Sequence, residues 1–108
     1  MNVNPFTATS KTLEIDVTAT ASTSKALPGQ GDTIRIVNEG PNTVYCAIGT
    51  GTQTATIPST STPNATSTAV LSGTDVIFNI ASDQIYNISM ICRAAGTATV
   101  EVQVGEGQ

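Results

Sequence analysis

Residues 33–49 read TIRIVNEGPNTVYCAIG. Ile34 and Ile36 fall on one face of an alternating pattern. After NEGPN the alternation resumes, with Val44, Cys46 and Ile48 on one face. A period of two is the signature of a strand with one buried side and one wet side. Between the runs, Gly40 supplies a permissive backbone and Pro41 a fixed φ, the usual chemistry of a turn. The stretch therefore predicts two strands joined as a β-hairpin.

The same grammar extends in both directions. Leu13, Ile15 and Val17 alternate with Thr12, Glu14, Asp16 and Thr18. In the following KALPGQGDT, Pro28-Gly29 suits the centre of a type II turn. QTATI, residues 53–57, reads as a short edge strand. Val76, Phe78 and Ile80 share a face in TDVIFNI, and Ile88, Met90 and Cys92 share one in IYNISMICR. AAG, ending at Gly96, then reads as the close of a last hairpin, with Gly96 in the left-handed position. Ala98, Val100, Val102 and Val104 follow as an inward set, with Glu101 and Gln103 outward.

Threonine is the most abundant residue, joined by Ser, Val, Ile and Ala, and β-branched side chains suit a pleated, half-buried surface. The fold class is all-β, a small two-sheet β-sandwich of jelly-roll-like form with an extended N-terminal arm. Residues 1–11 form the arm and residues 12–108 the single sandwich domain. At 108 residues such a domain folds alone, with stability of about 5–10 kcal/mol. Residues 57–68, IPSTSTPNATST, lack apolar periodicity and read as a long loop, of a length that is usually functional or mobile.

The chain holds no histidine, four basic and eight acidic residues, and a net charge of −4. Without histidine, no Ser/His/Asp or Cys/His arrangement can be assembled. Glu14 and Asp16 share a strand face, where a solvated pair is the ordinary reading and a glycosidase pair the exceptional one. Two thiols without histidine make a poor zinc site, and no Asp/Asn loop resembles a calcium cage. GTG at residues 49–51 follows a strand but precedes no helix to hold a phosphate. No enzymatic activity, catalytic residue, cofactor or metal is expected.

Scattered charges give no basic cluster for nucleic acid, and no apolar run reaches the roughly 20 residues of a membrane span. The start, MNVNPFTATSK, lacks the basic and apolar regions of a secretory signal, so synthesis in the cytosol is expected. Cys46 and Cys92 each lie among apolar strand residues and are expected as buried thiols rather than a disulfide. Asn64 and Asn87 begin N-x-S/T triplets, chance matches in a chain so rich in Ser and Thr. A carbohydrate platform needs exposed rings. Here the aromatics are Phe6, Tyr45, Phe78 and Tyr86, with Phe78 expected in the core.

The order of motifs carries a resemblance. ALPGQGDTIRIVNEGPNTVYCAIGTG, then TATIPSTSTPNATSTAVLSGTDVIFNI, then ICRAAGTATVEVQVGEG resembles a group of small tailed-phage virion proteins over roughly residues 26–107. The resemblance points to the capsid decoration, or cement, type. It implies a virion location on the capsid exterior after synthesis in the host cytoplasm, a homodimer or other symmetric homo-oligomer, and the major capsid protein as partner. The N-terminal arm and the 57–68 loop depart from the pattern and are the expected contact elements. Val3, Pro5, Phe6, Pro58, Pro63 and Asn64 are the candidate contact residues. The alternative reading is a tail-associated or surface-exposed binding module of the adhesin or carbohydrate-binding type.

Overall fold

The computed structural model describes residues 7–8, 12–22, 24–27, 31–58, 67–81 and 84–106. Nine strands stand among them: β1 (Thr7–Ala8), β2 (Leu13–Val17), β3 (Lys25–Ala26), β4 (Thr33–Pro41), β5 (Val44–Gly49), β6 (Thr68–Val70), β7 (Thr74–Asn79), β8 (Asn87–Cys92) and β9 (Ala98–Glu106). The first sheet runs β1–β9–β4–β7, with β2 beside β1 on the same edge of β9. The second runs β3–β8–β5–β6. Every pairing is antiparallel.

The pairings are nested. β2 pairs with β9, β3 with β8, β4 with β7 and β5 with β6. The chain thus behaves as one long folded ribbon. Rolled up, that ribbon brings β4 against β9 and β5 against β8, closing the two sheets over each other. This is a jelly roll.

The nesting corrects the hairpin expected at 33–49. β4 lies in the first sheet and β5 in the second, so NEGPN carries the chain across the sandwich. Ile34 and Ile36 therefore belong to one wall of the core, and Val44 and Cys46 to the other. Period two reveals which side of a strand is buried, and that side is the same in a hairpin and in a crossing. The connection from β8 to β9 is likewise a crossing.

Two smaller corrections follow. Ala95, at φ 64°, takes the left-handed position expected of Gly96. Gly96 answers a different need: a Cβ there would stand 2.9 Å from the Arg93 carbonyl oxygen and 3.2 Å from the Cys92 Cβ. QTATI forms no strand. It is held by side chains instead, the Gln53 N–H donating to Ser24 Oγ and the Ala55 N–H to Ser89 Oγ.

The core is aliphatic. Ile34, Ile36, Val44, Val70, Ile88, Met90, Val100 and Val102 are fully buried, and Leu13, Ile48, Val76, Phe78 and Ile80 pack against them. Each such side chain contributes roughly 1.5–3 kcal/mol by leaving water. Cys46 and Cys92 are free, buried thiols. Their strands pair with Cys46 opposite Met90 and Cys92 opposite Val44, so the two thiols sit on a diagonal rather than directly across from each other.

Candidate functional site

Of the expected contact residues, Pro58 is half-buried. Val3, Pro5, Phe6, Pro63 and Asn64 lie outside the described residues. The expected arm is not wholly outside the strand pattern, because Thr7 and Ala8 pair with Glu106 and Gly105. The N-terminal segment thus enters the fold on the edge of the first sheet, in line with β2. At the same end, Gly31 and Gly105 pack backbone to backbone, and a Cβ on Gly31 would run into the Gly105 carbonyl. Two glycines that stand far apart in the motif order, in PGQG and GEG, are therefore neighbours.

Carboxylates gather on the outer face of the first sheet. Glu14 pairs across from Glu101 and Asp16 from Thr99. The β4 register shifts between Asn38 and Gly40, leaving Glu39 as the extra residue of a bulge. Glu101, when protonated, donates a hydrogen bond to Glu39. That bond, then repulsion from Glu39, burial and the charge of Glu14, holds the Glu101 carboxyl above its ordinary value. Glu14 and Asp16 are both exposed, as on a solvated strand face. Farther along this face Arg35 Nε contacts Asp75 Oδ2 at 3.1 Å, an exposed pair worth about 0–1 kcal/mol.

The opposite pole is built by the two crossings. Asn38 extends the inward register of Ile34 and Ile36 and is fully buried. Its Nδ2 donates to the Asn42 and Val70 carbonyls at 2.9 Å each, and its Oδ1 accepts from the Gly40 N–H at 2.8 Å. Asn42 Oδ1 in turn accepts from the Thr97 N–H at 3.0 Å. The β4–β5 crossing is thereby tied to the β8–β9 crossing. Between them opens a cleft of about 240 Å³ lined by Asn42, Thr43, Tyr45, Arg93, Ala94 and Gly96. The Arg93 guanidinium lies over the Tyr45 ring, 5.2 Å from its centroid.

A second opening, of about 280 Å³, lies between the sheets at the β7 edge, among Cys46, Ile48, Phe78, Ile80 and Tyr86. Burial pushes the Cys46 thiol up to about 12, so it stays protonated and unreactive. Asn87 of the second N-x-S triplet is half-buried in β8, between Ala26 and Gly49 of the flanking strands. Among the described residues no group of three or more His, Cys, Asp or Glu is placed to hold a metal ion, and no helix is long and apolar enough to cross a membrane.

Asn38 was open to detection in the sequence, since an asparagine in an inward register is a buried polar group in need of partners. The cleft was not. Tyr45 and Arg93 meet only because β5 and β8 are neighbours.

No family model and no curated protein matches the chain. Among solved structures it is similar to a chain described as "Bacillus endospore appendages form a novel family of disulfide-linked pili". The identity is 16%, the match covers 98% of this chain and 95% of that one, and the TM-score is 0.43. A likeness at this level carries no weight for function, and the fold stands on the strand pairing above.

Proposed function

We propose that this chain is a non-enzymatic virion structural protein of a tailed phage that binds the capsid exterior and reinforces the shell. In this reading a homodimer bridges neighbouring major capsid subunits. The carrying observation is the entry of the N-terminal segment at a sheet edge, through Thr7–Ala8 on β9. In this reading Val3, Pro5 and Phe6, which precede Thr7 in the sequence, make the contact with a neighbouring subunit. Strand addition to an exposed edge draws affinity from backbone hydrogen bonds.

The physical logic is that of many modest contacts. A copy that bridges two subunits makes its second contact intramolecularly, at high effective concentration. A two-fold dimer presents the same patch to both sides of a seam. The motif order of residues 26–107 supports the same reading, and the Gly31–Gly105 contact gives two of its glycines a shared structural task.

Cosedimentation with matching capsids emptied of DNA, with stoichiometry by quantitative mass spectrometry, tests the reading. Hundreds of copies per shell, together with raised heat resistance of the shell, are the expected result. A handful of copies assigns the protein to the portal or tail, and none removes the shell-binding role.

A further inference from the structure

We propose that the cleft between the β4–β5 and β8–β9 crossings binds an acidic monosaccharide unit, such as a uronic acid, with Arg93 taking the carboxylate. This does not rest on the shell-binding reading. It concerns a different end of the molecule from β1 and is tested on the isolated protein.

Charge comes first. Arg35 is engaged by Asp75, whereas Arg93 has no carboxylate partner among the described residues. The described carboxylates stand on strands of the first sheet or, like Asp32, beside it. Arg93 leaves the end of β8 in the second sheet, and no described carboxylate forms an ion pair with it there. A guanidinium carries its donors in a planar fork that matches a carboxylate. The guanidinium lies over the Tyr45 ring, 5.2 Å from its centroid, a cation–π contact that restrains the side chain and so lowers the ordering cost on binding.

The walls are equally set. Asn42 is anchored at its carbonyl by Asn38 and at its Oδ1 by Thr97, and its side-chain NH2 remains to donate. The Gly96 N–H donates to the Arg93 carbonyl at 2.8 Å, closing the opposite wall. Ala95, between them, holds φ 64°, a left-handed conformation uncommon outside glycine. Strain of this kind persists where surrounding contacts impose it and collects at ligand sites.

Size and lining select the ligand class. The cleft of about 240 Å³ lies below the roughly 300–1,000 Å³ of sites for drug-sized molecules, and suits one ring. Asn42 and Thr43 offer partners for ring hydroxyls beside the carboxylate fork. A bare aromatic platform, the feature that lectin-like sites normally show, is replaced here by an arginine laid over a tyrosine.

The experiment is a titration of the 15N-labelled protein with glucuronate, glucose, acetate and inorganic phosphate, followed by amide and Arg side-chain shifts. Glucuronate is expected to saturate and to move Asn42, Thr43, Tyr45 and residues 93–96. Glucose is expected to give no saturable shift, and acetate and phosphate to bind at least tenfold more weakly. Arg93→Ala should weaken glucuronate at least tenfold with the remaining spectrum unchanged, and Arg93→Lys should restore only part of the loss. Acetate or phosphate matching glucuronate overturns the proposal, as do glucose matching glucuronate, shifts centred on Lys25 or Arg35, and an Arg93→Ala affinity within twofold of the parent.

Discussion

Asn38 Nδ2 in the first sheet donates directly to the Val70 carbonyl in the second at 2.9 Å, and both residues are fully buried. Asn38 also accepts the Gly73 N–H at its own carbonyl, 2.8 Å away. One side chain and its backbone therefore tie the β4–β5 crossing to the β6–β7 crossing. Asn38→Ala strands the Gly40 N–H and the Val70 carbonyl, at about 1–3 kcal/mol for each group left unpaired. A loss of about 3 kcal/mol, or a Tm lower by roughly 12–24 °C, is expected from urea and thermal unfolding. A loss below about 0.5 kcal/mol, the range of ordinary surface substitutions, would show that the tie is not structural.

Gly31 and Gly105 supply a second stability test. Gly31→Ala pushes a methyl into the Gly105 backbone carbonyl, which no rotamer change relieves. Overpacking of this kind costs about 1–3 kcal/mol. Gly51→Ala, where an added Cβ meets nothing within 4 Å, is the matched control and should be close to neutral. Equal denaturation midpoints for the two variants would remove the close approach from the account.

Glu101 gives the pH dependence a sign. Its folded-state carboxyl titrates above the ordinary value of 4.5, so the folded state holds a proton that the unfolded state has already released. Stability from this group rises as pH falls through the raised value and levels off below 4.5. Glu101→Gln removes the repulsion with Glu39 and Glu14. The variant should be more stable than the parent at pH 7, with the difference shrinking toward pH 4. Urea midpoints of both proteins across that range measure it, and a constant difference would contradict the raised Glu101 carboxyl.

The Cys46 thiol follows the same sign of linkage in a higher pH window. Burial holds the Cys46 proton up to about 12, while the unfolded thiol releases it near 9.0. Stability from this group is therefore full below pH 9.0 and falls as pH rises beyond it. At pH 8 a disulfide reagent should label Cys46 and Cys92 slowly in the folded protein and both at once in denaturant. Mass spectrometry showing a bridge between them would contradict the free, diagonal placement.

Removal of residues 1–6 separates folding from shell binding. Thr7–Ala8 and the β9 pairing remain, so unfolding free energy from urea titration should hold within about 0.5 kcal/mol. Capsid occupancy should fall. Unchanged occupancy would take the N-terminal segment out of the mechanism.

Much of the architecture was legible from period two alone. The inward sets Ile15/Val17, Ile34/Ile36, Val44/Cys46, Ile88/Met90/Cys92 and Val100/Val102/Val104 are all buried, because alternation reports directly on which side of a strand leaves water. QTATI shows the weakness of short segments. Its threonines favour strand locally, yet its backbone donors go to Ser24 and Ser89, and that competition is decided by side chains distant in sequence. The cleft at Arg93 was not legible at all.

The sequence by itself determined the all-β class, the buried faces and the absence of histidine chemistry, since these depend on residue type and nearest-neighbour spacing. Only the tertiary structure decided which strands are partners. Whether NEGPN closes a hairpin or crosses a sandwich depends on long-range pairing, β4 with β7 and β9, β5 with β6 and β8. Those ladders also set Asn38 beneath Val70, Glu101 beside Glu39 and Arg93 over Tyr45. A local pattern is equally compatible with either partner, and the choice is made by the closure of one core around both sheets.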